Sequence, residues 1–573
     1  MGMSALYVGL SGLQTSNNSL NTTANNLSNV NSDGYVRQQV VNKDQGYNNV
    51  TTTSKVSTGQ RGLGVTIASV NHVRDIFLDA AYRKEYGRQL FYDKLYDAVY
   101  EIETQMGDTE GIEGIAYQSA LNDLLEAVNE VAKTPGDQVA RSALCQSAAE
   151  FIDKSQSIYN GLKKYQQTVD EEMLSTVNRI NEIGYGILDL NQRIAKIEVG
   201  QMETASDLRD ARDLLLDELA SYCKISYSEQ ANGAVEVSIE GTQFVDELYV
   251  NTLGLKKIEG SEFMEPVWTH MNDKPLYYVD GIISTEKNTD IGGLKGLLVA
   301  RGNVTPTVVS MTEPDPAFYP LGTADPDYIN AVKEHEMYVQ TQDTSVLVNT
   351  LANFDKLVNS IVEGINDVLC PETEYIAADG TVYQVLDTSK ASMGKDGTYG
   401  EELFSRSYTA RYTEQIIDGQ TFYVRNNVNT FGNASAYTIA NITVNTNVMD
   451  DYSKLPLTTV VGEDDYATAA RLVEIFSENR LFYNGGFDGL TFEEFYETLT
   501  NDVANTGKVY YSMAENESSL ASSLDNQRQQ VMGVSSDEEL SNMIKFQQAY
   551  NAASRYINVI SEMIETLVMR TGV

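Results

Sequence analysis

Proline placement constrains this chain more than any other feature. One proline, Pro135, lies before residue 266; the other nine fall between Pro266 and Pro456, and none follows. The proline ring clashes with the preceding helical turn and removes a backbone donor. Long helices therefore belong to both ends of the 573-residue chain, and turn-rich or β structure to its middle. Hydrophobic spacing agrees. Met3, Leu6, Leu10, Leu13, Asn17, Leu20, Ala24 and Leu27 recur at steps of three and four, a heptad seam on one helix face. Near the other end Tyr550, Ala553, Ile557, Ile560, Ile564 and Leu567 keep the same rhythm, preceded by Leu540, Ile544 and Gln547. A third seam runs from Ile152 through Tyr159, Val169, Ile180 and Leu190 to Ile197; at 1.5 Å per residue it predicts a rod of roughly 70 Å.

Between these helices, Ala234–Ile239 alternates like a strand after an Asn232-Gly233 turn. Residues 244–330 and 370–460 are rich in Thr, Tyr, Val, Asn and Gly, as β domains with many turns are. One heptad-spaced helix, Leu347 to Val368, interrupts them. The expected fold is α+β and multidomain, with a terminal α-helical coiled coil, a long antiparallel helical rod and β-rich outer domains inserted in the middle. The boundaries expected are 1–62 with 520–573 for the terminal helical assembly region and 63–225 with 465–519 for the rod. A β-rich domain at 226–346, a connecting helix at 347–369 and a variable β-rich outer domain at 370–464 complete the chain.

Charge sorts the same segments. Formal net charge is −40, which argues against electrostatic binding of nucleic acid. Residues 1–40 carry only Asp33 and Arg37, and residues 536–573 sum to −2, so −38 lies on the body between. Near-neutral ends suit burial between subunits, where like charges would repel, and an acidic body suits water. No run approaches the roughly 18 apolar residues of a membrane span, so no membrane insertion is expected. Met1 to Leu13 lacks a basic n-region and a small-residue cleavage pattern, so no cleaved signal peptide is expected either.

Of the 22 residues from Ser11 to Ser32, fifteen are Ser, Thr or Asn. Such residues compete for backbone hydrogen bonds and weaken helix by several tenths of a kcal/mol each. The leucines of this segment could each return roughly 1.5–3 kcal/mol on burial. The segment is therefore expected to become helical only against a partner, with its polar face bonded to neighbouring chains and Gly34 free to adopt positive φ where the helix stops.

These residues also carry a family resemblance. Ser11-Gly12-Leu13 and the run Ala24-Asn25-Asn26-Leu27-Ser28-Asn29-Val30-Asn31-Ser32-Asp33-Gly34-Tyr35 are similar to the N-terminal motif of flagellar rod, hook and hook-associated proteins. Arg37-Gln38 after Tyr35 favours the hook-associated branch. Gly533–Leu540 and Phe546-Gln547-Gln548-Ala549-Tyr550-Asn551-Ala552 resemble that branch at the C-terminus. Thr134-Pro135-Gly136-Asp137 with Ala140–Leu144, and Asp207–Leu219, resemble it inside the chain. Residues 245–460 match little beyond the Leu347–Val368 helix.

The resemblance implies a structural subunit at the junction of hook and filament. It implies self-association through the two terminal helices, with hook protein and a neighbouring hook-associated junction protein as further partners. It also implies export unfolded through the flagellar type III apparatus to the extracellular flagellum, with an export chaperone on the C-terminal region. The expected assembly interface is Leu6, Leu10, Leu13, Leu20, Asn25, Asn26, Leu27, Asn29, Asn31, Gly34 and Tyr35, with Leu540, Ile544, Gln547, Tyr550, Ile557, Ile560, Ile564 and Leu567.

Chemistry is not signalled. The histidines His72, His270 and His335 lack a second ligand at metal-binding spacing, and Arg61-Gly62-Leu63-Gly64 and Ile291-Gly292-Gly293 match no phosphate-binding loop. Cys145, Cys223 and Cys370 are widely spaced, which suits buried small hydrophobes rather than a disulfide framework or zinc site. No enzyme activity, cofactor or metal is expected. Within the same class, hook protein or another axial component is the competing reading; Arg37-Gln38, Asp207–Leu219 and the long Ile152–Ile197 rod argue against it. An adhesin-like role of residues 245–460 is permitted by their prolines and tyrosines without being pointed to.

Overall fold

A computed structural model describes residues 2–51, 58–107, 117–199, 204–277, 283–316, 319, 321–407, 409–426, 436–480, 482 and 489–571. Helices dominate both ends. In chain order they are α1 (Gly2–Ser28), α2 (Ile76–Met106), α3 (Tyr117–Lys133), α4 (Gln138–Glu198), α5 (Ser206–Tyr222), α6 (Gly293–Arg301), α7 (Pro326–Thr341), α8 (Val346–Leu369), α9 (Thr446–Asp450), α10 (Tyr466–Ser477), α11 (Phe492–Met532) and α12 (Ser536–Thr571).

Several helices of the body begin where a short polar side chain satisfies free N–H groups of the first turn. Asp75 accepts from Phe77 and Leu78 at α2, and Asp137 from Val139 at α4. Ser345 accepts from Val348 at α8, and Thr491 with Glu494 forms a reciprocal capping box at α11. Gly107, at φ 82°, ends α2 in the left-handed turn that a Cβ would oppose.

With 61 residues, α4 is a rod of about 90 Å. Every position of its heptad seam from Ile152 to Ile194 is buried, including the polar Ser155, Gln166 and Thr176, while Ile197 at its end is exposed. The polar members are satisfied inside: Gln166 Nε2 donates to the carbonyls of Arg301 (2.9 Å) and Val304 (3.1 Å). Packed along the rod are α3, α5, α6 and α8, while α11 lies beside α2. One large core gathers α3, the first half of α4, α8, α10 and the start of α11 around Phe151, Phe354, Phe495 and Tyr117. A second gathers the far half of α4, α5, α6 and two small sheets around Phe244 and Trp268.

The strands form small antiparallel units. β1 (Gln38–Asp44) pairs with β4 (Val65–His72), and β2 (Tyr47–Thr51) with β3 (Thr58–Gly62), as one long hairpin after α1. β5 (Ile225–Glu229), β6 (Val235–Ile239) and β7 (Thr242–Val245) form a three-stranded sheet whose alternate residues Val235, Val237 and Ile239 are buried. β8 (Leu253–Lys257), β9 (Met264–Trp268) and β10 (Lys274–Pro275) form another. Further out, β11 (Glu372–Ile376), β12 (Val382–Leu386), β14 (Tyr412–Ile417) and β15 (Gln420–Arg425) make a four-stranded sheet, and β13 (Phe404–Arg406) pairs with β16 (Ile442–Val444).

Two differences from the sequence reading have physical reasons. The stretch read as β-rich, 226–346, contains α6 and α7. α6 is nine residues of mostly apolar side chains buried on all sides, too short and too uniform to show a helical period. α7 begins on Pro326 behind an Asp325 cap, so a proline counted against helix there sits where a helix tolerates it. The second difference is the 38–72 hairpin, which straddles the boundary expected at residue 62.

Candidate assembly interface

The two terminal helices pair within one chain. A Cβ on Gly9 would stand 2.7 Å from Ile557 Cγ1, and one on Gly12 3.8 Å from Ala553 Cβ, while Asn26 meets Glu539. Higher numbers in α1 meet lower numbers in α12, so the pair is antiparallel. Glycine at position 9 lets the helices approach closely there.

What the pair buries differs from the leucine seam. The buried side chains of α1 are Ser11, Thr15, Ser19, Thr23 and Asn26, one polar stripe at steps of four, four, four and three. Ser11 Oγ donates to the Val8 carbonyl (2.9 Å) and accepts from the Val65 N–H of β4 (3.2 Å), so the stripe seats α1 on the hairpin. Leu6, Leu13, Leu20 and Leu27 are half-buried at its side, and Leu10 is 45% exposed. On α12, Tyr550, Ile557, Ile560 and Ile564 are half-buried on the face of Ala553, whereas Leu540, Ile544, Gln547 and Leu567 are exposed. Val559 and Met563 are also exposed, while Tyr556, 43% exposed, lays its ring edge against Gly9.

The expected motif residues converge on one knot. Asn26, 1% exposed, accepts through Oδ1 from Tyr35 Oη–H (2.8 Å) and the Gln38 N–H (3.1 Å). Its Nδ2 donates to the Gln38 carbonyl (2.9 Å) and Glu539 Oε2 (3.3 Å). Arg37 clasps the start of α12 through Glu539 and Glu538, both at 3.0 Å, and its N–H donates to Met532 O at the end of α11 (2.9 Å). Asn25 Nδ2 donates to Tyr35 Oη (3.4 Å), and Asn29 Nδ2 back to the Asn25 carbonyl (3.0 Å). Asn31 is exposed. Burial, with Asp210 and Glu539 nearby, pushes the Tyr35 hydroxyl up to about 12, so it stays a donor at any physiological pH.

Gly34 has the expected positive φ, 74°, but not the expected place: α1 already ends at Ser28, six residues earlier. Its role is close approach, since a Cβ there would lie 2.5 Å from Leu214 Cγ on α5. Val36, next in line, is buried, and its N–H donates to Asp210 Oδ2 (3.2 Å). Burial raises the Asp210 carboxyl to about 7, against the bond from Val36 and the charge of Arg74. His72 Nδ1 lies 3.4 Å from Asp210 Oδ1, and its ring is held down to about 4 by burial and by Arg209.

Beneath the knot, arginines and aspartates tie α2, α5 and α11 together. Arg528 reaches Asp79 (2.9 Å) and Asp217 (2.8 Å), Arg83 reaches Asp217 (2.5 Å), and Arg74 bonds Asp79 and Asp213. The sequence reading missed the Ser-Thr stripe, Asp210 and Glu539. The stripe was legible as hydroxyls at four-residue steps beside Gly9 and Gly12; the contacts of Asp210 and Glu539 depend on chain brought from far away.

The remaining polar candidates are structural. All three cysteines are free and buried. His335 bonds the Ser310 carbonyl (2.9 Å), and His270 packs its ring edge-on to Trp268. No helix among the described residues is long and apolar enough to cross a membrane.

Comparison with known proteins places this architecture. Residues 101–369 match the family described as flagellar hook-associated protein FlgK helical domain. Residues 526–569 match the flagellar basal body rod FlgEFG protein C-terminal family, and residues 6–35 the flagella basal body rod protein family. The paired ends and the helical body thus define a flagellar axial protein. Flagellar hook-associated protein 1 of Bacillus subtilis is 25% identical over 584 residues, covering 100% of this chain and 98% of that one. Its counterparts in Salmonella typhimurium and Escherichia coli are 23% and 21% identical, each over 98% of both chains. The flagellar hook junction protein FlgK from Burkholderia pseudomallei aligns in structure with a TM-score of 0.47 and 12% identity, over 78% of this chain and 99% of that one. Along its whole length this chain is therefore similar to flagellar hook-associated protein 1, a structural protein of the flagellum.

Proposed function

We propose that this chain is a structural subunit of the hook–filament junction and that copies of it assemble through α1 and α12. One observation carries the reading: the helices bury a polar stripe against their own chain and leave apolar rows open. Leu10 on α1, and Val559 and Met563 on α12, stay at least 45% exposed on helices whose ends hold little charge. Burying each between subunits would return roughly 1.5–3 kcal/mol. The acidic body then faces water, where its charge keeps the monomer soluble.

In this reading the terminal pair forms the assembly region, the α2–α5 and α11 body forms the rod, and residues 226–464 face outward, divided as the sequence suggested. Hook protein and a neighbouring hook-associated protein cap the two sides of the junction. Subunits travel through the type III apparatus unfolded, and a chaperone covers the open row of α12 until export. The likeness of the termini to axial proteins supports the assembly role of the terminal pair.

The experiment is to replace Leu10 or Met563 by Asp in cells. Secretion should continue while filaments fail to grow and flagellin escapes to the medium. Normal filaments in both variants would overturn the interface.

A further inference from the structure

A cavity of about 390 Å³ opens between the start of α2 and β5. Ile76, Ala80, Ile225 and Ile291 give it an apolar lining, and Lys84 and Lys224 stand among them. Ile76 is exposed, and Phe77 beside it is 87% exposed, so the apolar surface continues out of the cavity. Lys224 donates to the Asn288 carbonyl (3.2 Å) and has no carboxylate within salt-bridge distance among the described residues. Such a cavity fits an apolar side chain that carries a carboxylate next to it.

We propose that this cavity receives the turn at residues 246–249 of a second copy of the chain. The inference rests on the self-assembly reading above and names a contact within it. The turn follows β7, and the Asp246 N–H donates to the Tyr249 carbonyl (2.9 Å), which fixes its shape. Leu248 is 79% exposed on it, with Tyr249 exposed beside it. Asp246 and Glu247 come just before, and neither has a cation within salt-bridge distance among the described residues. A bare leucine with free carboxylates is thus the complement of an apolar lining with a free ammonium. The turn does not serve its own cavity, because β5 and β7 are opposite edges of one three-stranded sheet, about 10 Å apart. Both sites lie at one level of the rod. A Cβ on Gly184 of α4 would touch Phe244 and Val250, on either side of the turn, and Arg179 of α4 bonds Glu218, two residues before Ala220 of the cavity wall. Gly184 and Arg179 are only about 8 Å apart along the helix. A copy set alongside in the same orientation, with a small axial shift, therefore brings its turn to the cavity, and the contact repeats from copy to copy in head-to-tail fashion. Val460 and Val461 are exposed on another turn, but that one lies by Gly136 at the far end of α4.

Cross-linking in assembled flagella tests this, in cells that make two versions of the full-length chain. One carries Leu248→Cys and the other Ser226→Cys, both at exposed positions, the second in the cavity wall. Mild oxidation of isolated flagella should give disulfide-linked dimers when both versions are present and none when either is alone. Adding Lys224→Glu to the Ser226→Cys version should lower the dimer yield roughly tenfold, the scale of one close charge pair. Adding Glu247→Lys to the other version should then restore most of it. Flagella that contain both versions but yield no dimer, or a yield indifferent to these charges, would overturn the contact while leaving self-assembly standing. Flagella that lack the wild-type chain would remove the self-assembly reading and this contact with it.

Discussion

Asn26 uses both amide hydrogens and its carbonyl oxygen at once, and the groups it joins come from the loop after α1, from β1 and from α12. A buried amide so fully matched is costly to remove, because its partners are left without bonds. Asn26→Ala should destabilise the terminal pair by about 1–3 kcal/mol, read as faster amide exchange across α1 and the first turns of α12. Nearby, Asp210 and His72 set opposite pH slopes. Asp210 holds its proton up to about 7 when folded, so between its ordinary value near 3.8 and 7 the folded chain binds more protons, and stability falls as pH rises. His72 gives its proton up near 4 when folded against 6.5 ordinarily, so stability rises with pH between those values. The two oppose each other from about 4 to 6.5. Asp210→Asn should expose a rise across that window and His72→Gln a fall, in denaturation curves taken at stepped pH.

At the scale of elements, periodicity was legible wherever one helix face is buried by its own chain. The α4 seam from Ile152 to Ile194 and the α8 seam from Leu347 to Ile365 are buried at every position named. The same logic misplaced the inside of α1, because there the buried stripe is made of hydroxyls. Ser11, within the stripe, bonds the Val8 carbonyl three residues back, a device that satisfies a buried hydroxyl on its own helix. α6 and α7 escaped for the opposite reason, one lacking any polar face and the other opening on a proline. The close approach of α1 and α12 rests on Gly9. Gly9→Val would push its branches into Ile557 and Tyr556 and should cost about 1–3 kcal/mol, seen as an early helical transition on heating that leaves the body intact.

Across the whole molecule, a rigid acidic body carries a slender helix pair tied down at one joint. The body holds both large cores; the pair has no core of its own and is fastened by Asn26, Arg37 and Glu539 and by the arginine–aspartate ties below them. Composition alone separated these parts, since the ends lack proline and carry little net charge, 0 and −2. What no composition could give is which residues face their own chain and which stay open, because that depends on the hairpin that α1 sits on. The central claim is that Leu10 and Met563 are open in the monomer and covered in the assembled junction. Thiol labelling measures this directly, since Cys145, Cys223 and Cys370 are buried and give little background. Leu10→Cys and Met563→Cys proteins should react readily with a maleimide as monomers and become protected once built into flagella. Equal labelling in both states would contradict the claim.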